Sequence, residues 1–145
     1  MHPDDISGEI LEAAIEVHRA FGPGLMESVY EAVLAHELEI RGLRVRRQHP
    51  VRIVHSGRVF KEAFRVDLLV EDTVVVELKS VAKIEPVFVR QILTYLRLMK
   101  LPVALVLNFG CLTMMAGTMR VVNDVPPNAT SRIRINNVSR ASNPA

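Results

Sequence analysis

The chain holds a single cysteine, Cys111, no tryptophan, and aromatic residues at only 5% of its 145 positions. One thiol excludes an internal disulfide framework and any cysteine-rich zinc site. The five histidines, His2, His18, His36, His49 and His55, form no helical i, i+4 pair, which argues against a histidine metal centre. No apolar run approaches the roughly 18 residues of a membrane span. The first residues, MHPDDISGEI, are acidic and polar where a secretory leader is basic and then apolar, so the expected localisation is cytoplasmic. An excess of one charge is also missing: the formal net charge of +2 is too small to announce a polyanionic partner.

What is present is a globular composition, with 49% hydrophobic and 23% charged residues, and a length suited to one domain. The apolar residues Ile6, Ile10, Ala14, Val17 and Phe21 recur at helical spacing after Ser7, an expected N-cap, and the helix should end at Gly22-Pro23-Gly24. A second helix is expected from Met26 to Arg41. Extended segments follow over 44–54 and 59–70, joined by a turn at Ser56-Gly57, and then over 74–80. Pro86 suits the first turn of a third helix running to Met99. The segment from Val103 to Phe109 suits a buried strand parallel to a neighbour, and 119–122 a short last strand. The domain is expected to span residues 1–124. From Val125 the chain lacks acids and large apolar residues apart from two isoleucines, and 125–145 is expected to be a disordered, polar and basic tail.

Within the strands, Asp67, Glu77 and Lys79 interrupt an otherwise apolar pattern, and burying ionisable groups is costly unless they are paired or bind a metal. By strict alternation, Arg65, Asp67 and Leu69 share one face of their strand, and Glu77 and Lys79 share one face of theirs. If Glu71-Asp72-Thr73 is a three-residue turn, Val70 pairs with Val74 and Asp67 falls opposite Glu77, with Cβ atoms about 5 Å apart. Two carboxylates that close must hold a proton or bind a cation, and Mg²⁺ is a natural partner for their oxygens. A lysine beside them could position a water or neutralise charge on a phosphate. Taken alone, the tripeptide is more simply explained by a Glu77–Lys79 salt bridge with Asp67 solvated.

Two further features bear on that choice. On the second helix Glu27 lies on the stripe of Tyr30, Glu31, Leu34 and Leu38, so an acid begins a face that heads inward. On the third helix Gln91 shares a face with Thr94, Tyr95 and Leu98. Between Arg41 and Arg65 stand Arg41, Arg44, Arg46, Arg47, Arg52, Arg58, Lys61 and Arg65 against one acid, Glu62. Such a segment could contact phosphates, although a strand edge guarded by charge is the simpler account of that feature alone.

The stretch GLMESVY has the form G-x-x-E-x-x-Y, and with VDLLVE, VELKS, QILTYL and NFG it resembles the GxxExxY protein family of bacteria, placed in the PD-(D/E)XK nuclease-like superfamily. The resemblance covers residues 6–122 and implies an α/β fold with an αβββαβ core, a mixed central sheet flanked by helices. It implies a metal-dependent nuclease that hydrolyses phosphodiester bonds in DNA or RNA with Mg²⁺ or Mn²⁺. Asp67, Glu77 and the backbone carbonyl of Leu78 would hold the ion, with Glu27 supporting it directly, through water or through a second ion. Lys79 would position the attacking water, Gln91 would stand beside the site, and Gln48 would approach it. Arg44, Arg46, Arg47, Arg52 and Arg65 would contact nucleic acid. Val66 stands where the superfamily name has proline. A non-catalytic binding module that keeps the fold is the alternative, and an accessory subunit with a buried ion-pair network is a third. A protein this small has little surface for sequence readout, so a homodimer or a larger protein partner is expected.

Overall fold

The computed structural model of the protein describes residues 1–123 and, as backbone alone, 133–137. Helix α1 (Pro3–Phe21) and helix α2 (Glu27–Ile40) are followed by strands β1 (Val45–His55), β2 (Arg58–Val70) and β3 (Val74–Lys79). Helix α3 (Pro86–Met99), strand β4 (Val103–Asn108), the short helix α4 (Met114–Gly117), and strands β5 (Thr118–Asn123) and β6 (Ile133–Asn137) complete the order. The strands form one sheet in sequence order, antiparallel except for the parallel pair β3 and β4 that the α3 crossover joins. This is the expected α/β architecture, a mixed sheet between helices.

Two cores explain the layers. Ile6, Ile10, Ala14 and Val17 of α1 and Tyr30, Leu34 and Leu38 of α2 pack on one face of the sheet with Leu68, Val70, Val74, Val76 and Leu78. Val89, Ile92, Leu93 and Leu96 of α3 cover the other face with Val66, Leu69, Val75, Ala104 and Val106. Buried on both sides, β3 and β4 carry near-continuous apolar sequence, the usual mark of parallel strands under helices.

Three expectations are corrected. Helix α1 begins at Pro3 and not after Ser7: His2 is the N-cap, its Nδ1 accepting from the Asp4 N–H at 3.0 Å, and proline is well tolerated in a first turn. Helix α4 had no expected counterpart. Residues 133–137, within the stretch expected to lack order, pair antiparallel with β5, because an open sheet edge offers unpaired N–H and C=O groups to an extended segment. The rest of 125–145 lies outside the described residues.

The junction of α1 and α2 is held by Tyr30. This side chain is fully buried and stacks on Phe109, with ring centroids 4.2 Å apart. Its hydroxyl donates to the Gly22 carbonyl and accepts from the N–H groups of Gly24 (2.9 Å) and Leu25 (3.0 Å). One phenol thus satisfies three backbone groups of an irregular turn and fixes where α2 starts. Gly22 has φ +67°, which suits a residue without Cβ. Tyr30→Phe keeps the ring stack but strands those groups, and should lower stability in urea unfolding by about 1–3 kcal/mol with little change in secondary structure.

Candidate active site

The β2–β3 hairpin turns through Glu71, Asp72 and Thr73, and Val70 faces Val74 across the ladder. Both Glu71 (φ +52°) and Asp72 (φ +50°) are left-handed, a conformation acidic turn residues tolerate better than branched ones. The register continues through Leu69–Val75 and Leu68–Val76, so the next positions along it are Asp67 and Glu77. There the backbone ladder stops and side chains replace it. The Asp67 N–H donates to Glu77 Oε1 at 3.3 Å, and the Leu78 N–H donates to Asp67 Oδ2 at 2.9 Å.

Strict alternation along β2 does not survive this point. Phe64 and Val66 pack on the α3 side with Leu69, whereas Leu68 and Val70 pack beneath α1 and α2. The face switches at Asp67, contrary to the expected grouping of Arg65, Asp67 and Leu69. The partner strand is irregular at the same point: Gln48, between the pairs Arg47–Leu68 and His49–Val66, has φ +49°, a left-handed residue inside a strand. Such strain in a non-glycine residue persists only where surroundings impose it, and it clusters at functional sites.

Electrostatics follow from the packing. Glu77 is only 7% exposed. Burial first, and then the negative charge of Asp67, push its carboxyl up to about 9. Glu77 is therefore protonated at neutral pH when no cation is bound. Lys79, one step along the same face, does not form the simple salt bridge: its Nζ lies 4.2 Å from the centroid of the Phe88 ring, and no carboxylate of the described residues is within ion-pair distance of it. Lys79 still acts on Glu77 through its charge, opposing the upward shift.

Helix α2 brings two more acids to the hairpin. Glu27, in its first turn, accepts from the Ser80 N–H at 3.2 Å, tying the helix to the end of β3. Glu31 is buried and accepts from Arg47 Nε (3.1 Å) and Gln48 Nε2 (2.5 Å). Gln48 Nε2 also donates to Asp67 Oδ1 at 3.2 Å, so one amide bridges the two carboxylates. Glu27, Ser28, Glu31, Arg47, Gln48 and Asp67 line one open cavity of about 420 Å³. From the opposite side, Tyr95 of α3 approaches: burial, then the charges of Glu77 and Asp67, push its phenol up.

The end of β3 is clamped by the NFG segment. Asn108 is buried, accepts from the N–H groups of Val81 and Gly110 at 3.0 Å each, and donates to the Val81 carbonyl at 2.9 Å. A Cβ on Gly110 would lie 2.6 Å from that carbonyl, so only glycine fits. The Phe109 N–H donates to the Lys79 carbonyl at 2.7 Å.

A family model described as the PD-(D/E)XK nuclease superfamily matches residues 4–121. The chain belongs to that superfamily. No curated protein and no solved structure matches it. For a PD-(D/E)XK protein, the fold sets Asp67 against Glu77, with Lys79 two residues further along β3, and Glu27 lines the cavity that Asp67 also lines. Gln91 is not brought into contact: it is exposed on α3 between Phe88 and Tyr95 and its side chain makes no hydrogen bond with the described residues, because the buried stripe of the helix runs through Val89, Ile92, Leu93 and Leu96. Glu31, Phe88 and Tyr95 had been given no part in the site. Spacing offered a signal for Tyr95, which lies four residues from Gln91 on one helical face.

The basic segment is largely neutralised. Arg41 is surrounded by Glu9, Glu12, Glu16 and Glu37. Arg44 and Arg46 reach Glu71 and Asp72, Arg47 pairs with Glu31, and Arg65 with Glu62. Arg52 alone of the five expected nucleic-acid contacts has no carboxylate partner among the described residues.

The raised Glu77 carboxyl has a definite pH signature. Unfolded, the group ionises above its ordinary value near 4.5; folded, it keeps its proton to about pH 9. Its contribution is thus fully present at low pH and is lost as pH rises through that window. Glu77→Gln, which mimics the protonated form, should gain stability relative to the unsubstituted protein by about 1 kcal/mol per pH unit between pH 5 and 8, measured by urea unfolding in EDTA. A pH-independent difference would contradict the proton assignment.

Proposed function

We propose that the protein is a divalent-metal-dependent nuclease of the GxxExxY group, hydrolysing phosphodiester bonds in nucleic acid. The observation that carries this reading is the placement of Asp67 against Glu77 at the point where β2 and β3 part, with Lys79 one step along the same face. The donor set suits a hard cation. Among the described residues no three His, Cys, Asp or Glu side chains converge, but Mg²⁺ is commonly held by one or two carboxylates with waters and substrate oxygens completing the shell. Peptide groups of a strand residue point to one side, so the Leu78 carbonyl opens toward the same edge as its N–H, which already reaches Asp67.

Asp67, Glu77 and the Leu78 carbonyl would hold the ion, and Glu27 would support it through water from the rim. When bound, Mg²⁺ or Mn²⁺ supplies Lewis-acid stabilisation of the charge on the phosphoryl and leaving oxygens. The chain supplies the rest. Glu77 loses its proton to admit the cation, Gln48 holds Asp67 by an amide hydrogen bond, and Lys79 orients the attacking water or offsets charge developing on the phosphate. The Phe88 ring holds the Lys79 ammonium away from a direct ion pair, leaving its donors for substrate. Gln91, exposed one turn from Phe88, would meet a bound strand only from outside the carboxylate cluster.

Purified protein should cut DNA or RNA, single- or double-stranded, in Mg²⁺ or Mn²⁺. Glu77→Ala and Lys79→Ala should each lower the rate by roughly 100-fold or more, with the fold retained by circular dichroism. Cleavage undiminished in both variants would remove these residues from the chemistry. Binding without cleavage in either metal would assign the fold to a non-catalytic nucleic-acid module.

A further inference from the structure

Strand β3 is short and meets β2 only at 68–70. Beyond Asp67, β2 pairs with β1 alone, so the hairpin continues as a two-stranded ribbon closed by a turn at Ser56 (φ +50°) and Gly57 (φ +77°). Its base is anchored: Phe64 stacks on Tyr95 with centroids 3.8 Å apart, and Val51 is buried against α3. Past a register shift between Val51 and Ile53 the ribbon stands free, and every residue from 54 to 63 is exposed. A bare ribbon is marginal in water. This one nevertheless exposes Val54 (60%), Val59 (45%) and Phe60 (40%) beside Arg52, Arg58 and Lys61.

The charge is not matched internally. Among the described residues no carboxylate pairs with Arg52, Arg58 or Lys61, in contrast to Arg41, Arg44, Arg46 and Arg47 nearer the body. Three cations on one projection with no carboxylate partner among the described residues are complementary to a polyanion. A two-stranded ribbon fits the major groove of B-form DNA, about 12 Å wide, and small branched apolar side chains suit thymine methyl groups there. The major groove of duplex RNA is too narrow and deep to admit it. Single strands are gripped by open aromatic faces, whereas the guanidinium of Arg58 already lies 5.0 Å over the Phe60 ring.

We propose that the β1–β2 ribbon is a DNA-gripping arm that lies in the major groove of double-stranded DNA, with Arg52, Arg58 and Lys61 on its phosphates. The assignment rests on the nuclease reading of the carboxylate site from which the arm departs. From Asp67 to Arg58 the strand runs about 30 Å at about 3.3 Å per residue. The arm therefore engages the duplex up to about nine base pairs from the scissile phosphate, at about 3.4 Å per step.

The test uses the full chain in Ca²⁺ without Mg²⁺, with 30-base-pair DNA, the matching single strand and duplex RNA as probes. The combined Arg52→Ala, Arg58→Ala, Lys61→Ala variant should bind duplex DNA roughly tenfold or more weakly and lower the slope of log affinity against log salt by about 2–3, near 0.9 per phosphate contact. Its melting temperature should be unchanged, since the substituted side chains are exposed. Dimethyl sulfate footprinting should show guanine N7 protection that shortens in the variant. The loss in the triple variant should persist in EDTA, where the carboxylate site holds no cation, so an arm that grips DNA without cleavage in any metal would count against the nuclease reading and not against the arm. Unchanged affinity and salt slope in the triple variant, an equal loss on duplex RNA, or a concentration-dependent dimer in sedimentation that the arm substitutions dissolve would overturn the proposal.

Discussion

The hydrogen bonds exchanged between Asp67 and the end of β3 are the constraint on which the rest of the site depends. Where β2 and β3 separate, two backbone N–H groups lose their ladder partners, and the carboxylates of Asp67 and Glu77 take them up. The same contacts bring two acids together beside a buried strand. Burial and the charge of Asp67 keep Glu77 protonated in that arrangement, and under the proposed function the two acids become a ligand pair when that proton leaves. Strand divergence and pH response therefore have one origin, which the proposed cation site would share.

Everything packed around this point serves to hold the ends of the parallel strands. Lys79 and Asn108 are register partners at the carboxyl ends of β3 and β4, the end of an α/β sheet where ligand crevices form. Asn108 ties down the segment leaving β3, Phe109 stacks on Tyr30, and Tyr30 fixes the start of α2 and with it Glu27. The Gly24, Glu27 and Tyr30 motif is thus one mechanical unit: a turn, its buried anchor, and the acid that anchor positions. The opposite rim is aromatic, with Phe88 over Lys79 and Tyr95 between the carboxylates and Phe64 of the ribbon.

Much of this was legible in the residues. Turn length decided the pairing of Asp67 with Glu77, and the valine run marked β3 as a strand buried on both faces. What strict alternation could not show is the change of face at Asp67, which coincides with a left-handed residue, Gln48, on a different strand. The same limit hid Glu31, whose partners Arg47 and Gln48 are distant in sequence. Gln91 illustrates the converse: helical spacing placed it on a stripe with Tyr95, but a 14-residue helix chooses its buried side by summed apolar contact, and that left Gln91 outward.

By itself the sequence determined the order of elements from α1 to β5 apart from α4, the α/β class and the turn that sets Asp67 beside Glu77, because these depend on local periodicity, turn length and adjacent register. Tertiary structure alone decided which side of each helix meets the sheet, which arginines meet a carboxylate among the described residues and which do not, and how far β2 outruns β3. Those outcomes depend on contacts between residues remote in the chain, and no local pattern encodes the distance between such residues.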